Sequence, residues 1–264
     1  MRAITSRRNP IVAPYHDAAR GETPDALLLD GPHLVADALD AGLRFRHAVV
    51  RTGAEDEHEI AALIDRLARA RIDVAPVSAP VMAAISPLKS PSAIVALAGR
   101  PSTSPDRIYS GPAPLVAIAV GIQDPGNLGA IVRVAEAAGA SGLVAAGACA
   151  NPFGWKALRG SMGSALRLPI AVAADVDAAL RDARAHRCRL VATVPRGGTS
   201  LFDGNYSGAT AMLIGGEGPG LPAHVIGGAD DRVTIPMSST VESLNTAVAA
   251  ALLLYEARRQ RGQA

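Results

Sequence analysis

The chain has 264 residues, 49% of them hydrophobic and 19% charged, with a formal net charge of +2. That balance suits one or two globular cores and excludes disordered and fibrous classes. No stretch approaches the roughly 18 apolar residues of a membrane span, and no basic-then-apolar leader opens the chain, so a cytoplasmic protein is expected.

Residues 1–20 hold Arg2, Arg7, Arg8 and Arg20 against Asp17 and read as a basic, irregular arm. From Ala26 the pattern alternates: strand Ala26 to Leu29, helix Pro32 to Ala41, strand Phe45 to Val50, helix Glu57 to Ala70, strand Ile72 to Pro76. A short helix near Pro80 to Ile85 and a strand Ala93 to Leu97 complete a small α/β sandwich. Gly99 to Pro105 and Gly111 to Pro114 are rich in turn-formers and read as an interdomain linker, which divides the chain into domains 1–105 and 106–264. The second domain is expected to bind its small-molecule ligand and to dimerise on its own.

That domain alternates as well, with strands near 115–122, 142–146, 168–173, 189–194, 210–214 and 232–237, as a mostly parallel sheet covered by helices requires. Three strand ends run into polar turns. Leu115 to Ile122 leads into Asp124-Pro125-Gly126-Asn127, where Asn127 is placed to N-cap a helix carrying Leu128, Ile131, Val132, Ala135 and Ala138 on one side and ending at Gly139. Arg133 lies on the first turns of that helix. Ala211 to Ile214 leads into Gly215-Gly216-Glu217-Gly218-Pro219-Gly220-Leu221, a loop whose glycines let backbone approach a ligand closely. It lacks the Gly-x-Gly-x-x-Gly of nucleotide-binding turns, since Leu221 stands where the last glycine would be. Val233 to Met237 leads on to Ser243-Leu244-Asn245 and a long last helix, with Ser243 a possible cap. That helix carries Ala247, Val248, Ala251, Leu252 and Tyr255 on one face and Leu253 and Leu254 on another, so it needs cover from its own domain and from a second surface, such as a homodimer partner.

Together these segments resemble, in order, the three motifs of the SpoU/TrmH family of RNA ribose 2′-O-methyltransferases, over most of residues 115–260. Arg159-Gly160-Ser161-Met162-Gly163 is similar to the family's Arg-x-Ser-x-Gly element. More loosely, Ile4 to Pro10 and Asp30 to Val35 resemble the substrate-binding domain that often precedes the catalytic one. The resemblance implies a SPOUT domain with a deep trefoil knot, in which the last helix threads a loop and forms an S-adenosylmethionine pocket. It implies a homodimer through that helix and an RNA substrate, ribosomal in preference to transfer RNA because of the N-terminal domain. It also implies that Gly215, Ile235 and Leu244 line the cofactor site with Gly216, Pro236 and Asn245 beside them. Arg133 becomes the central catalytic residue, with Asn127, Glu217, Ser243 and Asn245 around it.

A guanidinium does not deprotonate in proteins, so Arg133 is expected to grip a phosphate and polarise the hydroxyl rather than act as a base. Arg7 and Arg8 are candidate RNA contacts; Arg159 either binds phosphate or sits on a solvated helix face. Of 26 basic residues only Lys89 and Lys156 are lysine, which suits bidentate phosphate contacts but equally reflects GC-rich coding. Eight aromatic residues give few stacking platforms, so recognition should rest on phosphate, shape and the 2′-hydroxyl. The six histidines and the pair Cys149 and Cys188 form no metal-binding spacing, and both cysteines read as small core residues. Two other readings fit the same fold: an enzyme that methylates a base, and a catalytically silent RNA-binding protein.

Overall fold

The computed structural model describes residues 3–238 and 240–262, so Arg2 of the expected arm lies outside the described residues. The chain forms two compact units. One runs to Ser102 and takes in Phe153–Arg159; the other holds Thr103–Pro152 and the chain from Gly160 onward.

The first unit contains α1 (Val12–Arg20), β1 (Ala26–Asp30), α2 (Pro32–Asp40), β2 (Phe45–Arg51), α3 (His58–Arg69), β3 (Val74–Val77), α4 (Ala79–Ile85) and β4 (Ile94–Gly99). Its sheet has the order β1-β4-β2-β3, with β2 and β3 parallel and both pairs made by β4 antiparallel. Helices α1 and α4 pack together over Leu28, Val49, Val95 and Leu97, while α2 and α3 pack together and reach β1, β3 and β4. Residues 12–20 are therefore not an irregular arm. Val12, Tyr15 and Ala18 make a buried stripe at helical spacing, disguised in the sequence by the exposed arginines around it. The segment before the helix is pinned too, because Ile4 exchanges 2.9 Å backbone hydrogen bonds with Pro76 and Ser78. Burial pushes the Tyr15 phenol well above its ordinary range and, with the Arg46 charge, lowers the half-buried His47 imidazole; a 3.0 Å hydrogen bond between them satisfies the buried phenol.

The second unit contains α5 (Pro105–Ile108), β5 (Leu115–Val120), α6 (Pro125–Ala137), β6 (Gly142–Ala146), α7 (Trp155–Ser161, which begins in the first unit), α8 (Ser164–Arg167) and β7 (Ile170–Ala173). It continues with α9 (Val176–Ala185), β8 (Arg189–Thr193), β9 (Thr199–Ser200), β10 (Thr210–Gly215), α10 (Ala223–Gly228), β11 (Asp231–Thr234) and α11 (Thr246–Gln260). The strand order is β7-β6-β5-β10-β8-β11-β9 and every pair is parallel. Strands β5 and β6 are buried at every position, as strands covered on both faces must be, which is why they read as unbroken apolar runs. The two-residue edge strand β9 has no such run and no expected counterpart. The stretch expected to be a plain linker contains α5, whose Ile108 is buried in the sheet's core so closely that a Cβ on Gly142 would come within 2.8 Å of it.

From β5 the chain steps outward to β6 and β7, then crosses to build the other half from β8 onward. The order reverses beside β5 and β10, and in open parallel sheets ligands bind beyond the carboxyl ends of the strands at such a reversal. Helix α11 packs on α6 and β10. Its own unit fully buries Leu253 and Leu254, so the face that lacks cover is Val248, Leu252 and Tyr255, each 41–49% exposed. At the far end, the Arg261 guanidinium donates to the carbonyls of Ala113, Tyr206 and Gly208 and anchors the C-terminal end of α11.

Candidate active site

The turn after β5 is capped differently from the sequence expectation. Asp124, not Asn127, is the N-cap of α6: its carboxylate accepts the Asn127 backbone N–H at 2.7 Å. Pro125 takes the first helical position, where a missing N–H costs nothing, and this moves the cap one residue upstream of the proline. The Asn127 side chain is thereby released for other contacts. Packing fixes the same turn from outside, because Gly160 of α7 lies against Gly126 and Gly129, where a Cβ would be 3.2 Å from the Gly126 carbonyl oxygen. Gly160 in the Arg159-to-Gly163 element thus has a packing role.

The glycine loop after β10 is seated on the turn after β5. Gly216 pairs with Gly220 in an isolated antiparallel bridge, and a Cβ on Gly216 would overlap the Gly121 carbonyl oxygen. Gly218 and Gly220 have φ of +83° and +65°, the left-handed region that glycine adopts freely. The third segment, from Ile235 to Asn245, ends at α11, where Asn245 rather than Ser243 is the cap. Its Oδ1 accepts the Ala247 and Val248 backbone N–H groups at 2.9 and 3.3 Å. Thr246 Oγ1 then donates to the Gly215 carbonyl at 2.8 Å and ties α11 to the glycine loop.

Side chains join all three segments. Asn245 Nδ2 donates to Asn127 Oδ1 at 3.1 Å, and Asn127 Nδ2 in turn donates to Glu217 Oε1. Beside this chain lies a cavity of about 430 Å³ lined by Gly215, Gly216, Glu217, Ile235, Ser243, Leu244 and Asn245. Pro236 is not in the lining. Alternate residues of an extended segment face opposite ways, and here Ile235 and Met237 line the cavity while Pro236 is exposed. Thr193, Val194 and Pro195 also line it and were missed as site residues, although the end of an expected parallel strand was a sufficient signal.

Arg133 is exposed on α6, outside the lining, and has no hydrogen bond or ion pair among the described residues. Arg7, Arg8 and Arg159 are exposed as well, and Arg7 Nε donates to the Pro80 carbonyl at 3.1 Å. Cys188 is buried, but Cys149 is only half-buried. The Ile122 backbone N–H donates to its thiol at 3.2 Å, so it braces the turn after β5 rather than filling the core. Among the described residues no group of His, Cys, Asp and Glu could hold a metal ion, and no helix is long and apolar enough to cross a membrane.

The sequence profile of the SpoU rRNA Methylase family matches residues 114–255. An uncharacterized tRNA/rRNA methyltransferase of Synechocystis is 34% identical over 98% of this chain and 94% of its own length. A Bacillus subtilis protein named as a 23S rRNA guanosine 2′-O-methyltransferase is 28% identical over 98% of this chain and its entire length. The crystal structure of an AdoMet-bound rRNA methyltransferase from Sinorhizobium meliloti superposes with a TM-score of 0.86 at 29% identity, covering 98% of this chain and 97% of that one. With a profile match across the whole sheet that carries the cavity, the chain belongs to the SpoU rRNA methylase family.

Proposed function

We propose that this protein is an S-adenosylmethionine-dependent methyltransferase acting on a ribose 2′-hydroxyl of structured RNA, ribosomal in preference to transfer RNA. The observation that carries the reading is the Glu217–Asn127–Asn245 hydrogen-bond chain beside a cavity built by three strand-end loops. The ribosomal choice is supported by the Bacillus subtilis relative named for 23S rRNA. The cavity suits the methyl donor: about 430 Å³ lies within the range of small-molecule sites. One wall is glycine backbone without side chains and another is apolar, from Ile226, Val233, Ile235 and Leu244.

When bound, S-adenosylmethionine supplies an electrophilic methyl group on a positively charged sulfur. Gly215, Ile235 and Leu244 hold it through their backbones, with Gly216 allowing the close approach. Asn127 and Asn245 keep the three loops in register, and Ser243 offers a hydroxyl at the cavity wall. Arg133, unpartnered among the described residues, is free to grip the phosphate beside the target ribose and to polarise the hydroxyl. Arg7, Arg8 and Arg159 add phosphate contacts, with residues 1–105 serving RNA binding and 106–264 catalysis in the cytoplasm. The last helix threads a loop to close a trefoil knot around the cofactor site.

Mapping ribose methylation across total RNA tests the activity. A strain lacking the gene should lose one ribosomal 2′-O-methyl mark, restored by the intact gene; an unchanged map, or loss of a base methyl instead, sinks the reading. We further propose that a second copy covers Val248, Leu252 and Tyr255 of α11. Leu252→Glu combined with Tyr255→Glu should raise the dimer dissociation constant at least about tenfold, because two unpaired carboxylates in an apolar contact cost more than the ~1.4 kcal/mol that tenfold represents. Sedimentation velocity checks this, and a monomeric wild-type protein would refute it.

A further inference from the structure

Resting on the methyltransferase reading, we propose that Glu217 is the base that takes the proton from the ribose 2′-hydroxyl. The reaction needs such an acceptor, and Arg133 is excluded because a guanidinium holds its proton in proteins. Among the described residues lining the cavity, Glu217 is the sole carboxylate, and no histidine, lysine, arginine, cysteine or tyrosine stands beside it. The remaining polar side chains of the lining are hydroxyls and one amide. All six histidines of the chain lie outside the lining.

The hydrogen-bond chain aims this carboxylate. Asn245 spends its Oδ1 on capping α11 and its Nδ2 on Asn127, which fixes the orientation of the Asn127 amide. Asn127 must then present Nδ2, and it does so to Glu217 Oε1. One carboxylate oxygen is held while the other, Oε2, has no hydrogen-bond partner among the described residues. A carboxylate so fixed has its second oxygen ready for a hydroxyl.

In the step itself the O2′–H bond breaks and its proton passes to Oε2. The oxygen lone pair forms the new bond to the methyl carbon, and the sulfur–methyl bond breaks with its electron pair remaining on sulfur as a neutral thioether. Glu217 is exposed, so the proton leaves it to water.

Glu217→Gln isolates this role, because the amide oxygen still accepts from Asn127 Nδ2 while the group can no longer take up a proton. Single-turnover transfer to the RNA should fall by about 100-fold or more, the range of a lost general base. Calorimetric affinities for S-adenosylmethionine and for RNA should stay within about threefold, as for a group acting in the transition state. The acidic limb of the wild-type pH–rate profile should vanish in the variant. Glu242→Gln, a nearby carboxylate outside the lining, should leave rate and profile unchanged. If E217Q loses cofactor affinity, Glu217→Asp carries the test and must keep the acidic limb at a reduced rate. A Gln variant within about threefold of wild type, or a slow one that retains the acidic limb, overturns the assignment. If the wild-type protein methylates a base, the parent reading falls and this assignment with it; if ribose methylation stands and E217Q is as fast, only the assignment falls.

Discussion

Gly216→Val is expected to weaken S-adenosylmethionine binding by at least about 100-fold, some 3 kcal/mol, while the protein remains folded. A side chain at this position does not simply fill the cavity. Its Cβ overlaps the Gly121 carbonyl oxygen, which belongs to rigid backbone directly after β5. The glycine loop must therefore lift from the neighbouring strand end, carrying Glu217 away from Asn127 and Gly215 away from Thr246. Gly216→Ala meets the same obstacle at the same atom, so it should show most of the loss. Gly218→Ala is the contrast: a Cβ there meets nothing, and only the positive φ penalises it, by about 1–2 kcal/mol. Titration calorimetry of the three variants gives the ranking, and wild-type affinity in Gly216→Val would place the cofactor elsewhere.

Arg133→Lys should cut turnover by about 100-fold or more, with cofactor affinity within about twofold of wild type. The charge is kept, but the planar fork that can bind a phosphate with two parallel hydrogen bonds is lost. Cofactor affinity is spared because Arg133 does not line the cavity and holds no loop in place. A lysine variant with wild-type turnover would remove Arg133 from the mechanism. One that loses cofactor affinity would assign the residue a structural part instead.

Much of the second unit was legible because parallel strands buried on both faces leave unbroken apolar runs, as in Leu115–Val120. The ends of those strands then marked where polar turns collect. What the sequence hid was set by packing or by a single neighbour. Helix α1 was concealed because its buried stripe is only three residues, Val12, Tyr15 and Ala18, in a nine-residue helix. The cap of α6 was misplaced because Pro125 moves it to Asp124. The types of residue in the active site were readable, but their partnership was not: Asn127 meets Glu217 across 90 residues and Asn245 across 118, and no local pattern encodes such a meeting.

The first unit is discontinuous, with Phe153–Arg159 contributed from the middle of the catalytic sequence. The Arg100 guanidinium lies 4.0 Å from the ring centre of Phe153 in that insert, and Trp155 packs against the unit's core. A fragment cut at residue 105 would therefore separate Phe153 from Arg100 and Trp155 from the core it packs against. Gene shuffling meets the same constraint. A first unit borrowed from a relative should graft cleanly only if this short stretch travels with it, so exchanging the units takes more than one crossover in the chain.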